Sequence, residues 1–208
     1  MYTPAAFAEA DLNRLQNFVE QHSFATVVTS TNGPMAISHL PLLLNRSDSP
    51  TGTLYGHFAR ANDHWQVVGS GTTTAIFQGP HAYISPAWYQ EPDVVPTWNY
   101  VAVHASGQLR IREDRDFLLR LLSRSVDFYE SGRTQPWRLT DQNADFIERL
   151  LGGIVGFELP IERLEGKWKL SQNHSAQRRS RVIAELRQSG SADALAVASA
   201  MEETPASR

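Results

Sequence analysis

The sequence predicts an α+β, mainly β fold: an antiparallel sheet or small barrel with peripheral helices. Three observations lead there. Strand-like segments come in runs and helical segments come in runs, so β and α do not alternate along the chain. Hydrophobic spacing changes between a period of two and a period of 3.6 from one run to the next. A stretch with four prolines and six aromatics, 77–107, joins two of the strands and admits no helix through its middle. A doubly wound Rossmann sheet is thereby excluded.

The elements follow in order. Thr3-Pro4 reads as a helix start, and Leu12, Leu15, Phe18 and Val19 share one helical face, with an end near His22. FATVVTS (24–30) is β-branched and strand-like, TNGP (31–34) is a turn, and MAISHLPLLL (35–44) returns. Pro41 places that strand at an edge or a bulge. NRSDSPTG (45–52) is a loop, TLYGHF (53–58) a third strand, ARANDHWQVVG (59–69) one short helix and TTTAIFQG (72–79) a fourth strand. WNYVAVHASGQLRI (98–111) alternates as another strand. EDRDFLLRLLSRSVDFYESG (113–132) is amphipathic, with Gly132 as its stop. TDQNADFIERLLGG (140–153) is a second helix with Thr140 as N-cap. IVGFELP (154–160) and IERLEGKWKLS (161–171) are strands, and AQRRSRVIAELRQ and ADALAVASAM are helical. The division expected is a main domain over 1–188, with inserted helices at 113–152, and a partly flexible helical tail over 189–208.

The 208 residues are 41% hydrophobic and 20% charged, enough for a core without staples. There is no cysteine, which rules out disulfides and thiolate metal sites and suits a reducing cytoplasm. No signal peptide is visible, and no apolar run reaches the ~18 residues of a membrane span. The net charge of −3 exerts no global pull on nucleic acid. No GxGxxG, P-loop, HExxH or GxSxG occurs, and no two of the seven histidines have helical metal-site spacing, so no metal site is expected.

Three places carry more information. In GHFARANDHW (56–65), a strand gives way to a short helix at Arg60-Ala61-Asn62. The turn reads either as an ordinary cap by Asn62 beside a solvated Arg60, or as an anion site of backbone N–H groups and a guanidinium. FQGPHAYISPAWYQEPDVVPTWNYVAVHASG (77–107) reads either as core and interface packing or as a stacking wall for a planar ligand. GKWKLSQN (166–173) reads either as a polar strand end or as a segment reaching a charged ligand or partner.

Together with HLPLLL (39–44), IFQGPHAYISPAWY (76–89) and VPTWNYVAVHASG (95–107), these segments resemble, in order and over roughly 1–188, the landmarks of the PaiB family, described as FMN-binding negative transcriptional regulators. The family usually has Arg after SQN; here the residue is His174. The resemblance implies an antiparallel, Greek-key-like split β-barrel, a homodimer, and FMN near the subunit interface. It implies that Arg60, Ala61 and Asn62, with Trp65 nearby, face the phosphate and that His39 lies beside the ribityl chain or ring. It further implies that Tyr83, Trp88, Trp98 and Asn99 flank the isoalloxazine, and that Lys169, Ser171, Gln172 and Asn173 close the site.

Three functional readings stand at this level: an FMN-binding negative regulator of gene expression, a flavin-dependent oxidoreductase using NAD(P)H, and a cofactor-free dimeric interaction module. DNA contact would fall to QRRSRVIAELR, with Arg178, Arg179, Arg181 and Arg187, although a solvated helix face explains that segment equally well. No catalytic residue is identified.

Overall fold

The computed structural model describes residues 1–69 and 71–206, and its strands and helices fall in two compact units. One comprises Met1–Phe18, Phe77–His104 and Glu165–Arg208; the other comprises Val19–Ile76 and Ala105–Leu164.

In the second unit, β2 (Phe24–Thr29) buries Ala25, Val27 and Thr29 in alternation, the period-two pattern of a half-buried strand. It pairs antiparallel with β3 (Ala36–Pro41) and with the first residues of β6 (Thr73–Ile84). The hairpin turn is closed by Thr31, whose hydroxyl donates to Pro34 O and accepts from Gly33 N. Pro41 ends β3, an outermost strand, as expected of a residue without an N–H. A four-stranded sheet runs β4 (Leu43–Asn45), β5 (Thr53–Ala59), β9 (Ile154–Pro160), β8 (Arg110–Arg112). Helices α2 (Arg115–Glu130) and α3 (Ala144–Gly152) bury Phe117, Leu118, Leu121, Ile147 and Leu151 in one cluster. A Cβ on Gly156 of β9 would lie 2.7 Å from Leu118 Cδ2 and 2.8 Å from Phe117 Cε1, so only glycine lets α2 approach that strand this closely.

In the first unit, β1 (Ala8–Glu9) pairs antiparallel with β10 (Arg163–Lys169), and β7 (Thr97–Gly107) lies between β10 and β6. Phe18 meets Trp168 edge to face at 5.3 Å. Helices α4 (Ala176–Ser189) and α5 (Ala192–Glu203) form a hairpin around Gly190, which takes the left-handed conformation (φ +70°) that glycine adopts without strain. Ala194, Val197, Ala198 and Met201 of α5 are buried.

Several boundaries differ from the sequence expectation. The N-terminal helix does not start at Thr3: a 3-10 turn (Ala5–Phe7) and β1 come first, and α1 (Leu12–Gln21) opens where the Asp11 carboxylate accepts from Arg14 N. The segment 59–69 holds only a 3-10 turn (Asp63–Val67), capped by Asn62. β6 runs on through Pro80 to Ile84, and Pro80 lies beyond the Thr73–Ile76 register with β2. The single strand expected over 98–111 is two: β7 stops at Gly107, and β8 belongs to the four-stranded sheet. At the break a Cβ on Gly107 would collide with Pro160 O, a close backbone approach that only glycine allows. The N-cap of α3 is Asn143, not Thr140, because the Asn143 amide oxygen accepts from both Asp145 N and Phe146 N.

Candidate functional site

Within the first unit, the start of β7, the end of β10 and the start of α4 surround a cavity of about 440 Å³. Its walls include Tyr89, Val95, Thr97, Asn99, Lys169, Ser171, Asn173, His174 and Arg178. The turn after β10 is what positions them. Ser171 sits at φ +60°, left-handed for a non-glycine residue. It is held there because Asn99 Nδ2 donates to its hydroxyl (3.0 Å) and the hydroxyl donates back to Asn99 Oδ1 (3.1 Å). Gln172 pins the same turn, accepting from Leu170 N at 2.8 Å and donating to Trp168 O at 2.5 Å. The other two non-glycine residues with positive φ among those described are Gln90 and Asp93, on the loop that forms the facing wall. Strain of this kind, of order 1–3 kcal/mol per residue, persists where the surroundings over-determine it, and it concentrates at ligand sites.

The charges are arranged unequally. Lys169 Nζ donates to Thr97 Oγ1 and, at 2.8 Å, to Trp98 O, both neutral acceptors. Burial, followed by the like charge of Lys167, lowers the Lys169 ammonium from its ordinary value. Arg178 is shared: it donates to His174 Nδ1 at 2.8 Å, pairs with Glu91, and lies over the Tyr89 ring at 5.0 Å. Its hydrogen bond holds Glu91 below the usual carboxylate range. Burial first, and then the Arg178 charge, push His174 down, so its imidazole is neutral at pH 7 and free to accept from Arg178. The ring also packs on Tyr89 at 5.5 Å.

Of the residues expected from sequence, the cavity gathers Asn99, Lys169, Ser171 and Asn173. Gln172 supports them from behind. Tyr83 and Trp98 do not line it. They meet each other edge to face at 6.0 Å and remain half exposed, because alternation along β7 sends Trp98 to the face opposite Asn99. Trp88 lies in a 3-10 turn (Pro86–Tyr89) and is not in the wall either. Tyr89, His174 and Arg178 complete the cavity without having been assigned to it from sequence. The usable signal was the i, i+4 spacing of His174 and Arg178 immediately after SQN.

The remaining expected residues belong to the second unit. Arg60 donates to Gly152 O and Ile154 O and pairs with Glu113 at 2.9 Å, so its guanidinium is already engaged. Trp65 Nε1 donates to Arg60 O, and Ala61 is exposed. His39 is exposed, stacked on Phe24, and hydrogen-bonded to Thr26. Asn62 opens a buried network absent from the sequence reading: Asn62 Nδ2 donates to Ser38 Oγ, which meets His64 Nδ1 at 2.9 Å, while His64 Nε2 meets Thr29 Oγ1 at 2.8 Å and Thr29 meets Thr73. One direction satisfies every group, from Asn62 through Ser38 and His64 to Thr29 and Thr73. Burial keeps His64 neutral there.

The arginines of α4 are not a bare basic face. Arg179 is buried and donates to the carbonyls of Leu170, Met201 and Thr204. Arg181 shares Glu91 with Arg178, and Arg187 pairs with Glu202. Among the described residues, no helix is long and apolar enough to cross a membrane.

A family model described as "Putative FMN-binding domain" matches residues 1–163. The chain is 37% identical to "Protease synthase and sporulation protein PAI 2" of Bacillus subtilis (strain 168), over 98% of this chain and 97% of that protein. Among solved structures, it resembles the flavocytochrome Anf3 of Azotobacter vinelandii at a TM-score of 0.57 and 15% identity, over 78% of this chain and 69% of that one. It also resembles an FAD and heme binding protein of Mycobacterium smegmatis at 0.54 and 14%, over 83% and 78%. The fold is the α+β, mainly β split barrel that the strand order and the family resemblance implied.

Proposed function

Because the chain belongs to the "Putative FMN-binding domain" family and FMN is its cofactor, we propose that it is an FMN-binding regulatory protein that takes the anionic end of the flavin at the Lys169 cavity. The observation that carries this reading is the half-buried Lys169 ammonium, answered among the described residues only by neutral oxygens, in a cavity that also holds Arg178. An anionic ligand offsets the cost of burying that charge, and charge-assisted donors of this kind suit a phosphate. The residues fit the group: Lys169 and Arg178 offer cationic donors, Asn173 an amide, and Phe7, Val95 and Tyr89 apolar surface. Asn99 and Ser171 hold the turn that presents Lys169 and Asn173. Bound FMN supplies one- and two-electron redox chemistry.

The regulatory part of the reading rests on the full-length similarity to the Bacillus subtilis protein, whose name ties it to protease synthesis and sporulation. A cytoplasmic location accords with the absence of cysteine. A homodimer accords with the apolar side chains that β2, β3 and the turn between them leave open, Phe24, Met35 and Ile37 among them. Direct DNA contact through α4 falls to Arg181 and Arg187, since Arg179 is buried and Arg178 is engaged by His174 and Glu91 in the cavity.

The test is an absorption spectrum of the purified protein followed by fluorescence titration with FMN. We expect stoichiometric flavin, and about tenfold or more weaker binding in Lys169→Met. Unchanged affinity in that variant removes the cavity from the site. Rapid bleaching of the flavin by NADH or NADPH without oxygen moves the assignment to an oxidoreductase.

A further inference from the structure

In the second unit, and independent of the flavin reading, a pocket of about 290 Å³ opens between α2, β4, β5 and β9. Its floor is apolar, made of Leu43, Phe117, Leu121 and the ring of Tyr55, which tilts against Phe117 at 6.0 Å. Three arginines stand around it, and two of them sit on rings: Arg112 is 4.7 Å from the centroid of Phe117, and Arg124 is 5.6 Å from that of Tyr55.

The acidic groups of the pocket are already answered. Glu158 accepts from Arg112 at 2.9 Å and also lies 3.8 Å from Arg110. Asp48 accepts from the Tyr55 hydroxyl at 2.5 Å. Burial and that hydrogen bond raise Tyr55 to about 12, so the hydroxyl remains a donor to Asp48 at physiological pH. The Asn45 amide oxygen is occupied by Ser47. Arg120 and Arg124 have no such close partner: no hydrogen bond or ion pair engages either guanidinium among the described residues, although the Asp114 carboxylate acts on Arg120 at longer range. They are four residues apart on α2, a spacing at which like charges repel and which an anion between them relieves.

We propose that this pocket binds a small organic acid, with its carboxylate or phosphate head between Arg120 and Arg124 and a short apolar body on Tyr55, Phe117 and Leu121. The volume stands at the lower end of ligand pockets, which restricts the occupant to a small molecule. Arginine forks take carboxylate and phosphate heads alike, so the head is defined by charge and planarity of contact rather than by one acid.

The test is calorimetric titration of the FMN-loaded full chain at low salt with phenyl phosphate, benzoate and inorganic phosphate. A Lys169→Met variant titrated in parallel shows whether any probe enters the Lys169 cavity instead. Saturable binding of phenyl phosphate or benzoate is expected, with inorganic phosphate weaker than phenyl phosphate. The double variant Arg120→Gln/Arg124→Gln should lose about tenfold or more in affinity. Arg124→Lys, which keeps the charge, should lose less. Both arginines are exposed, so melting temperatures near that of the parent chain verify the fold. Absence of saturable binding, equal binding of phenyl and inorganic phosphate, or unchanged affinity in the double variant overturns the proposal.

Discussion

Asn99 and Ser171, 72 positions apart, each donate a hydrogen bond to the other. That closed pair fixes the end of β10 to β7 and holds Ser171 in a backbone conformation it would otherwise avoid. Ser171→Ala removes both bonds and leaves the buried Asn99 Oδ1 unsatisfied, while Asn99 Nδ2 keeps its contact with Met201 Sδ, and should cost about 1–3 kcal/mol in urea unfolding. Ser171→Gly loses the same bonds but relieves the left-handed backbone, so its loss should be smaller.

The arginines of α4 should separate sharply. Arg179 serves three buried carbonyls, and Arg179→Ala should destabilise by about 3 kcal/mol or more. Arg187 makes an exposed pair with Glu202, and Arg187→Ala should cost less than about 1 kcal/mol. Thermal melts of the two variants compare them directly.

Burial lowers His57, His64 and His174 from their ordinary value of 6.5. In the unfolded chain each takes up a proton more readily than in the fold, so stability is full above about pH 6.5 and falls as the pH drops below it. The melting temperature should therefore decrease between pH 7 and pH 5. His174→Asn, which can still accept from Arg178, should flatten part of that slope.

Arg60 and Lys169 should differ in flavin titration. Among the described residues Lys169 meets only neutral oxygens, whereas Arg60 is committed to Glu113 and two carbonyls. Arg60→Ala should lower the melting temperature and change the FMN dissociation constant less than Lys169→Met does.

Much of this was legible in the residues. Alternating burial in FATVVT and TLYGHFA, the amphipathic run 113–132 and the turn at 31–34 all follow from local periodicity and turn chemistry. The segment KLSQN was recognisable as polar groups gathered at a strand end, and its family resemblance led to the cofactor. Two kinds of feature were not readable. One is the direction of a side chain: Trp98 and Asn99 are neighbours in sequence, yet the pleat sends them to opposite faces. The other is long-range pairing. Arg178, Arg179 and Arg181 look alike in QRRSRV, but one partners Glu91 and His174, one is buried under three carbonyls and one reaches Tyr89 O. Local sequence by itself determined most of the elements and the family, because periodicity, caps and motifs are short-range properties. The tertiary structure alone decided which cations stay unanswered, because that depends on acceptors brought in from 70 or more positions away and on the burial that sets what an unpaired charge costs.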